Sequence, residues 1–255
     1  CLSASTDTIC VGETAVLTAS GATTYSWSGG LGTNNAITVS PASTTTYTVT
    51  GTTGGATGTA NIAVIVYPIP NVNILASANP ICKGDSALLT ANGGITYIWD
   101  TNPSLLTQQI TVSPLQTTNY NVTISDINGC TASENIVIDI FPSPVADAGH
   151  DTSICLGTSA TLTATGGIDY LWSTTETTST IFVSPNALTD YIVTLTDNNG
   201  CSSTDNVIVT VNPLPQLIAS PSTSDICLGD SVNLTVNGAT TYFWYPSAGL
   251  SDATI

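Results

Sequence analysis

Apolar and polar residues alternate over short stretches along the whole chain, the pattern of half-buried β-strands. In stretch 86–92, for example, the alternation places Ala87, Leu89 and Ala91 on one face. Within one segment of the chain the pattern predicts strands at 72–78, 86–92, 96–99, 109–112, 119–125 and 135–141. Short strands separated by turns every 8–12 residues or so predict a β-sandwich or barrel.

The strand pattern recurs with a fixed period. An Ile-Cys-x-Gly motif places cysteines at 10, 82, 155 and 227, and a Tyr-x-Trp motif places tryptophans at 27, 99, 172 and 244. Proline clusters at 68–70, 142–144 and 213–215 interrupt strand pairing and mark boundaries. We therefore predict repeats at 1–68, 69–142 and 143–213, and a partial repeat at 214–255. The fourth repeat stops midway, so we interpret the chain as part of a longer array.

Two aromatic positions select the fold. A lone tryptophan on the third strand is placed to fill the core between two sheets, and a tyrosine opens the penultimate strand, as in the tyrosine corner. We assign core and corner roles, without chemistry, to Trp27, Trp99, Trp172, Trp244, Tyr47, Tyr120 and Tyr191. The predicted fold is all-β: tandem immunoglobulin-like β-sandwich domains in a linear array.

Composition excludes several functions. The net charge is −16 with a single Lys or Arg, so the chain lacks the cations that bind nucleic acid or anionic membranes. The apolar run at 62–67 is too short to insert into a membrane. The chain has one histidine, His150, and no Cys-x-x-Cys motif. We therefore recognise no catalytic motif and no zinc-binding motif in the sequence. We predict that the chain is not an enzyme.

The combined pattern of Ile-Cys-x-Gly, Leu-Thr-Ala, Tyr-x-Trp, Val-Ser-Pro and Asp-x-Asn-Gly-Cys resembles the Ig-like and PKD-like repeats of large Bacteroidota surface proteins. Repeat 1 departs from that pattern because it lacks Asn-Gly-Cys. The resemblance implies type IX secretion, an extracellular location at the cell surface, and a link to gliding or adhesion. It also implies O-glycosylation at a hydroxyl between Asp and an apolar residue, for which the candidates are Thr8, Ser86 and Ser231.

Two similar loops offer oxygen ligands for calcium. The residues are Asp126 and Asn128 in one loop, and Asp197 and Asn199 in the other. Each loop has a single carboxylate, and Asp and Asn are also ordinary turn formers. The sequence therefore indicates no required cofactor, with calcium as a candidate.

The cysteines carry the most specific prediction. Pairs within a repeat would be Cys82–Cys130 and Cys155–Cys201, but the turn after the first strand and the turn before the last strand lie at opposite ends of such a sandwich. Disulfides require Cα atoms within about 7 Å. In a linear array those ends meet between neighbours, which predicts Cys10–Cys130 and Cys82–Cys201. Cys1, Cys155 and Cys227 would then bond partners outside the chain, while an unusual strand order would restore the pairs within a repeat.

The leading functional interpretation is a stalk or fibre segment of a large secreted protein, holding an adhesive or other domain away from the cell. Its partners would be neighbouring repeats of the same protein. Three alternatives remain open: a subunit of an assembled extracellular filament, made of further copies; an adhesin module that binds glycans or surfaces; and an appendage to a catalytic domain elsewhere in the parent protein.

Overall fold

We describe residues 1–251 of the computed structural model. The chain divides into two compact units, Cys1–Pro142 and Ser143–Ile255. The first unit contains repeats 1 and 2. The second contains repeat 3 and the described strands of repeat 4. Strands predominate in both units, as the alternating sequence predicts.

Repeat 1 is a sandwich of two sheets. Its strands are β1 (Leu2–Ala4), β2 (Thr8–Cys10), β3 (Ala15–Ala19), β4 (Thr24–Trp27), β5 (Ala36–Val39), β6 (Thr45–Thr53) and β7 (Ala56–Tyr67). One sheet has the order β1-β3-β5 and the other β2-β7-β6-β4. A single 3-10 turn, Ser28–Gly30, follows β4. All pairs are antiparallel except β2 with β7, which run parallel with Cys10 opposite Tyr67.

Repeat 2 has the same arrangement. Its strands are β8 (Asn73–Ala76), β9 (Ile81–Cys82), β10 (Ala87–Asn92), β11 (Thr96–Trp99), β12 (Gln109–Val112), β13 (Thr118–Ser125), β14 (Thr131–Ile138) and β15 (Ile140–Phe141). One sheet has the order β12-β10-β8 and the other β11-β13-β14. The short strands β15 and β9 pair in parallel, with Cys82 opposite Phe141.

In the second unit, repeat 3 consists of β16 (Thr152–Cys155), β17 (Ala160–Thr163), β18 (Asp169–Trp172), β19 (Thr180–Val183), β20 (Thr189–Thr196) and β21 (Ser202–Asn212). Its sheets are β16-β21-β20-β18 and β17-β19, the latter extended by the isolated bridge between Asp147 and Thr165. Repeat 4 contributes the antiparallel pair β22 (Ile218–Pro221) and β23 (Leu234–Asn237).

The observed strands correct the prediction in two places. The predicted strand 72–78 of repeat 2 is found as β8, but a second short strand, β9, which the sequence did not predict, follows it. The first strand of the repeat is therefore divided, because β9 pairs in parallel with the last strand on the other sheet. The last strand of repeat 2 begins at Thr131 instead of 135, because the whole of β14 pairs with β13. The predicted strands 96–99 and 109–112 match β11 and β12.

Each complete repeat encloses a separate apolar core. Trp27, Trp99 and Trp172 are nearly fully buried in the three cores. Each indole N–H donates to a backbone carbonyl of the following loop, at Asn34, Thr107 and Thr178, over 2.8–3.0 Å. The buried tryptophan is thus fully hydrogen-bonded, which removes the cost of desolvating its polar atom. Trp244 of repeat 4 is half-buried.

Of the two roles assigned to the tyrosines of the penultimate strand, core packing is seen in the described residues and the corner hydrogen bond is not. Tyr47 and Tyr191 are buried and Tyr120 is half-buried, but within residues 1–251 their hydroxyls make no hydrogen bond to the protein. The hydroxyls that do form hydrogen bonds are those of the Tyr-x-Trp tyrosines, Tyr25, Tyr97, Tyr170 and Tyr242. Each bonds the backbone of the residue three positions earlier in the chain.

Candidate functional site: the cysteine-bearing turns

The Ile-Cys-x-Gly motif forms a tight turn that follows the divided first strand. In each copy the N–H three residues after the cysteine donates to the cysteine carbonyl over 3.0 Å. The glycine between them has φ of +87° to +99°, a region that other residues adopt only with strain. In repeat 1 the Cys10 N–H also donates to Glu13 Oε2 over 2.8 Å. The backbone conformation of the motif therefore fixes one cysteine at this turn.

The Asp-x-Asn-Gly-Cys motif forms a second turn, between the last two strands of repeats 2 and 3. Asp126 Oδ1 accepts hydrogen bonds from the backbone N–H groups of Asn128 and Cys130, both over 2.9 Å. The Asp126 N–H in turn donates to the Cys130 carbonyl over 3.0 Å. Gly129 has φ +83°. The carboxylate thus closes a five-residue loop and fixes the position of Cys130.

Repeat 3 contains the same loop. Asp197 Oδ1 accepts from the N–H groups of Asn199 and Cys201 over 2.8 and 2.9 Å. The loop-closing role of Asp126 and Asp197 was missed from the sequence. The available signal was an Asp four residues before a Cys in both copies, with glycine just before the Cys, which is the spacing of an Asx-type turn.

Cys10 and Cys130 form a disulfide that joins repeat 1 to repeat 2. Their Cα atoms are 5.6 Å apart and their sequence separation is 120 residues. The bond connects the turn after the first strand of one repeat to the turn before the last strand of the next. It lies within the first compact unit, where the segment from Tyr67 to Asn73 provides the other covalent connection.

The sheet register excludes a bond between Cys82 and Cys130. Cys82 stands opposite Phe141, at the end of the last strand, whereas Cys130 directly precedes Thr131, at its beginning. About ten extended residues separate the two ends, or roughly 33 Å. The same register separates Cys155, opposite Asn212, from Cys201, which precedes Ser202. Cys82 and Cys201 are each disulfide-bonded.

The remaining cysteines are reduced and accessible. Cys1, Cys155 and Cys227 are free thiols, and all three are exposed. Cys155 and Cys227 occupy the first type of turn, and Cys1 directly precedes β1.

The calcium candidates occupy the second type of turn. The Oδ1 atoms of Asp126 and Asp197 accept backbone N–H groups, and Asn128 Nδ2 lies 3.4 Å from Asp126 Oδ2. Among residues 1–251 there is no group of three or more His, Cys, Asp or Glu side chains placed to hold a metal ion. The loops thus bring Asp126 to Asn128 and Asp197 to Asn199, but add no second carboxylate to either pair.

The glycosylation candidates all lie at the surface. Thr8, Ser86 and Ser231 are exposed. Ser86 Oγ is within 2.8 Å of Ser113 Oγ, so its hydroxyl already has a partner. The single histidine, His150, is exposed as well.

Repeat 1 differs from repeat 2 at the turn between its last two strands. Instead of a cysteine loop, β6 and β7 continue into a two-residue glycine turn, Gly54 and Gly55, both with positive φ. Beside this hairpin is a pocket of about 390 Å³, whose lining includes Cys1, Tyr25 and Gly51.

The pocket arises because a core side chain is missing. Val49 stands opposite Trp27, as Val122 stands opposite Trp99. Two residues further along, repeat 2 has the fully buried Ile124, and repeat 1 has Gly51. A Cβ at Gly51 would lie 2.7 Å from the Cβ of Ala22, so Ala22 occupies part of the space.

Burial, and secondarily the nearby negative charge of Asp100, raises the pKa of the Tyr120 hydroxyl above its usual value of 10. No helix among residues 1–251 has the length and apolar character needed to span a bilayer.

No protein-family model matches the chain, and no curated protein matches it. Solved structures of tandem Ig-like domains are similar to it at low identity. An I-band fragment from titin is 14% identical, with a TM-score of 0.35, over 80% of this chain and 95% of that one. A Ca²⁺-stabilised adhesin that helps an Antarctic bacterium bind ice is 13% identical, with a TM-score of 0.35, over 88% and 77%.

The N-terminal eight Ig domains of Down Syndrome Cell Adhesion Molecule are 14% identical, with a TM-score of 0.29, over 93% of this chain. The chain spans 45% of the length of that eight-domain chain. These neighbours are adhesion and structural proteins. The assignment of this chain to tandem immunoglobulin-like sandwiches stands on its own strand order and cores.

Proposed function

We propose that this chain is a structural segment of a stalk or fibre in a secreted cell-surface protein, and that it holds another domain away from the cell. The observation that carries the proposal is the Cys10–Cys130 disulfide, which joins successive repeats. A second covalent connection beside the linker restricts bending between the two sandwiches. That restriction is useful in a spacer and has no evident use in a catalyst.

We propose an extracellular location at the cell surface. Disulfides persist in oxidising compartments and are rare in the cytosol, which supports this location. The resemblance to Bacteroidota surface repeats supports export by a type IX system and O-glycans at Thr8, Ser86 and Ser231, all of which are accessible.

We also propose that Cys82 bonds Cys201, repeating the Cys10–Cys130 link one period later. The support is the sequence period, the identical pair of turns that hold the cysteines, and the bonded state of both residues. On the same reasoning, the free Cys1, Cys155 and Cys227 would bond repeats outside the chain. The domain boundaries 1–68, 69–142, 143–213 and 214–255 belong to this proposal.

The role is proposed as non-enzymatic and without a required cofactor. The support is the sequence, which has one histidine and no Cys-x-x-Cys motif. Calcium remains a candidate ligand of the loops at Asp126 and Asp197.

The test is surface labelling combined with a binding assay. Antibodies raised against the chain should label intact producing cells, and electron microscopy should place the label on projections outside the envelope. Label that requires permeabilised cells would contradict the proposal. Beads coated with the oxidised chain should bind neither glycan arrays nor producing cells above the level of beads coated with a denatured chain. Saturable binding would identify an adhesin module instead, and label confined to regular polymers would identify a filament subunit.

A further inference from the structure

We propose that the Cys10–Cys130 disulfide transmits a pulling force, so that the covalent path of the force bypasses most of the cores of repeats 1 and 2. The inference deepens the proposed stalk function and rests on it for its biological use. Its physical content depends only on the connectivity within the first compact unit.

The two cysteines lie near opposite ends of the first compact unit. Cys10 is close to the start of repeat 1, and Cys130 is close to the end of repeat 2. A chain under tension becomes taut along its shortest covalent path. From Cys1 to Pro142 that path runs through the first strands, the disulfide, and the last strands β14 and β15. The backbone between the cysteines is left as a slack loop.

Most core residues of both sandwiches lie inside that loop. It contains Trp27 and Val64 of repeat 1 and Trp99 and Ile124 of repeat 2. The linker around Pro68 also lies in it. The covalent path of the force therefore bypasses the linker and the central strands of both cores, and runs only through the strands next to the cysteines.

The size of the effect follows from chain geometry. An extended residue spans at most about 3.3–3.6 Å, so the 142 residues of the first unit could extend to roughly 500 Å if unfolded. With the disulfide intact, only about 22 residues lie on the taut path, or roughly 80 Å. The loop set by a separation of 120 residues hides roughly 400 Å of contour length. Maximum extension therefore falls about sixfold.

The placement of Cys10 supports this role. The parallel pairing of β2 with β7 sets Cys10 beside Tyr67, where the chain leaves repeat 1. The disulfide thus starts where the linker starts, and carries the load in the linker's place. The same parallel pairing sets Cys82 beside Phe141 at the exit of repeat 2. Repeats 1 and 2 thus each place a cysteine beside the strand end from which the chain leaves the repeat.

The experiment is single-molecule stretching of the full chain. One handle is attached at the N-terminus and the other to an azide-bearing amino acid in place of Ser143, which is exposed. These positions confine the measurement to repeats 1 and 2 whatever the partners of Cys82 and Cys201. Cys1, Cys155 and Cys227 are changed to serine in all proteins, to prevent thiol exchange. The parent is compared with its Cys10→Ser/Cys130→Ser variant.

The oxidised parent should stiffen at roughly 80 Å of extension, and the variant should extend roughly 400 Å further through two unfolding steps. Adding a phosphine reductant to the tethered parent should release the same length, which removes any dependence on how the variant folds. A parent that unfolds to full length without reductant would overturn the inference. The result is independent of surface labelling, so failure of either experiment can be told from failure of the other.

Discussion

The turns between the last two strands differ in repeats 1 and 2, although the surrounding sandwiches share one strand order. In repeat 1 this turn is a glycine hairpin at Gly54 and Gly55. In repeat 2 it is a five-residue loop that Asp126 closes and that carries Cys130. One turn is an uncharged hairpin, and the other accepts the cysteine of the preceding repeat. Covalent linkage is thus encoded in a turn, and the common core does not decide it.

The core adjusts to the turn through a local exchange of volume. Repeat 2 places Ile124 against Gly94, where an added Cβ would lie 2.9 Å from the Ile124 Cβ. The equivalent pair in repeat 1 is Gly51 and Ala22. Glycine therefore stands at the position of Ile124, and alanine at the position of Gly94. The reduced volume opens the pocket beside Cys1. The ends of the sandwich therefore vary as matched sets of residues.

The largest expected effect comes from removing the link itself. We predict that Cys10→Ser/Cys130→Ser loses about 4–5 kcal/mol of unfolding free energy, the loop-closure entropy expected for a loop of this length. Urea unfolding, monitored by tryptophan fluorescence under non-reducing conditions, measures the loss. Cys155→Ser is the matched control, because Cys155 is free and exposed, and should leave the midpoint unchanged. Equal midpoints for the double variant and its parent would refute the prediction.

The exchange of core volume gives the next effect. We predict that Gly51→Ile destabilises repeat 1 by about 1–3 kcal/mol, because its Cβ would overlap Ala22. Adding Ala22→Gly recreates the Gly94–Ile124 arrangement of repeat 2 and should recover most of that loss. A double-mutant cycle by urea unfolding measures the coupling, with Ala22→Gly alone as control. Purely additive effects would show that the two positions do not compensate each other.

The carboxylate that closes the cysteine loop should have a smaller effect. We predict that Asp126→Ala costs about 1–2 kcal/mol, since two backbone N–H groups lose their acceptor. Asp126→Asn retains an acceptor oxygen of the same shape and should cost less. The two variants are compared by urea unfolding of the oxidised chain. An Asn variant as unstable as the Ala variant would show that hydrogen-bond acceptance is not what stabilises the loop.

The smallest effect concerns glycine conformation. We predict that Gly129→Ala costs about 1 kcal/mol, because φ is +83° and a Cβ is disfavoured there. Gly58→Ala, in strand β7 with no atom within 4 Å of the new Cβ, should be neutral or slightly stabilising. Thermal unfolding of both variants provides the comparison. A destabilised Gly58 variant beside an unchanged Gly129 variant would reverse the assignment.

The sequence was sufficient for features that depend on period and alternation. The buried tryptophans and the sandwich follow from the 72- to 73-residue spacing of the motifs. The link between Cys10 and Cys130 could be predicted because strand length places two turns at opposite ends of a repeat. That inference needed only the strand order and the range of a disulfide.

Other features depend on register, which alternation alone does not specify. The division of the first strand, with Cys82 opposite Phe141, requires parallel pairing with a strand almost sixty residues away. The roles of Tyr97 and Asp126 depend on the backbone of turns, which brings the Gly94 carbonyl and the Cys130 N–H within reach. The pocket at Gly51 appears only when β4 and β6 are aligned at Trp27 and Val49.

The central claim, that the cysteines link neighbouring repeats, is tested most directly by peptide mapping without reduction. The oxidised chain, with free thiols blocked at acidic pH, is digested by pepsin, which requires neither Lys nor Arg, and linked peptides are identified by mass spectrometry. We predict linked peptides that contain Cys10 with Cys130 and Cys82 with Cys201, and blocked thiols at Cys1, Cys155 and Cys227. Linked peptides that join Cys82 to Cys130, or Cys155 to Cys201, would contradict the account.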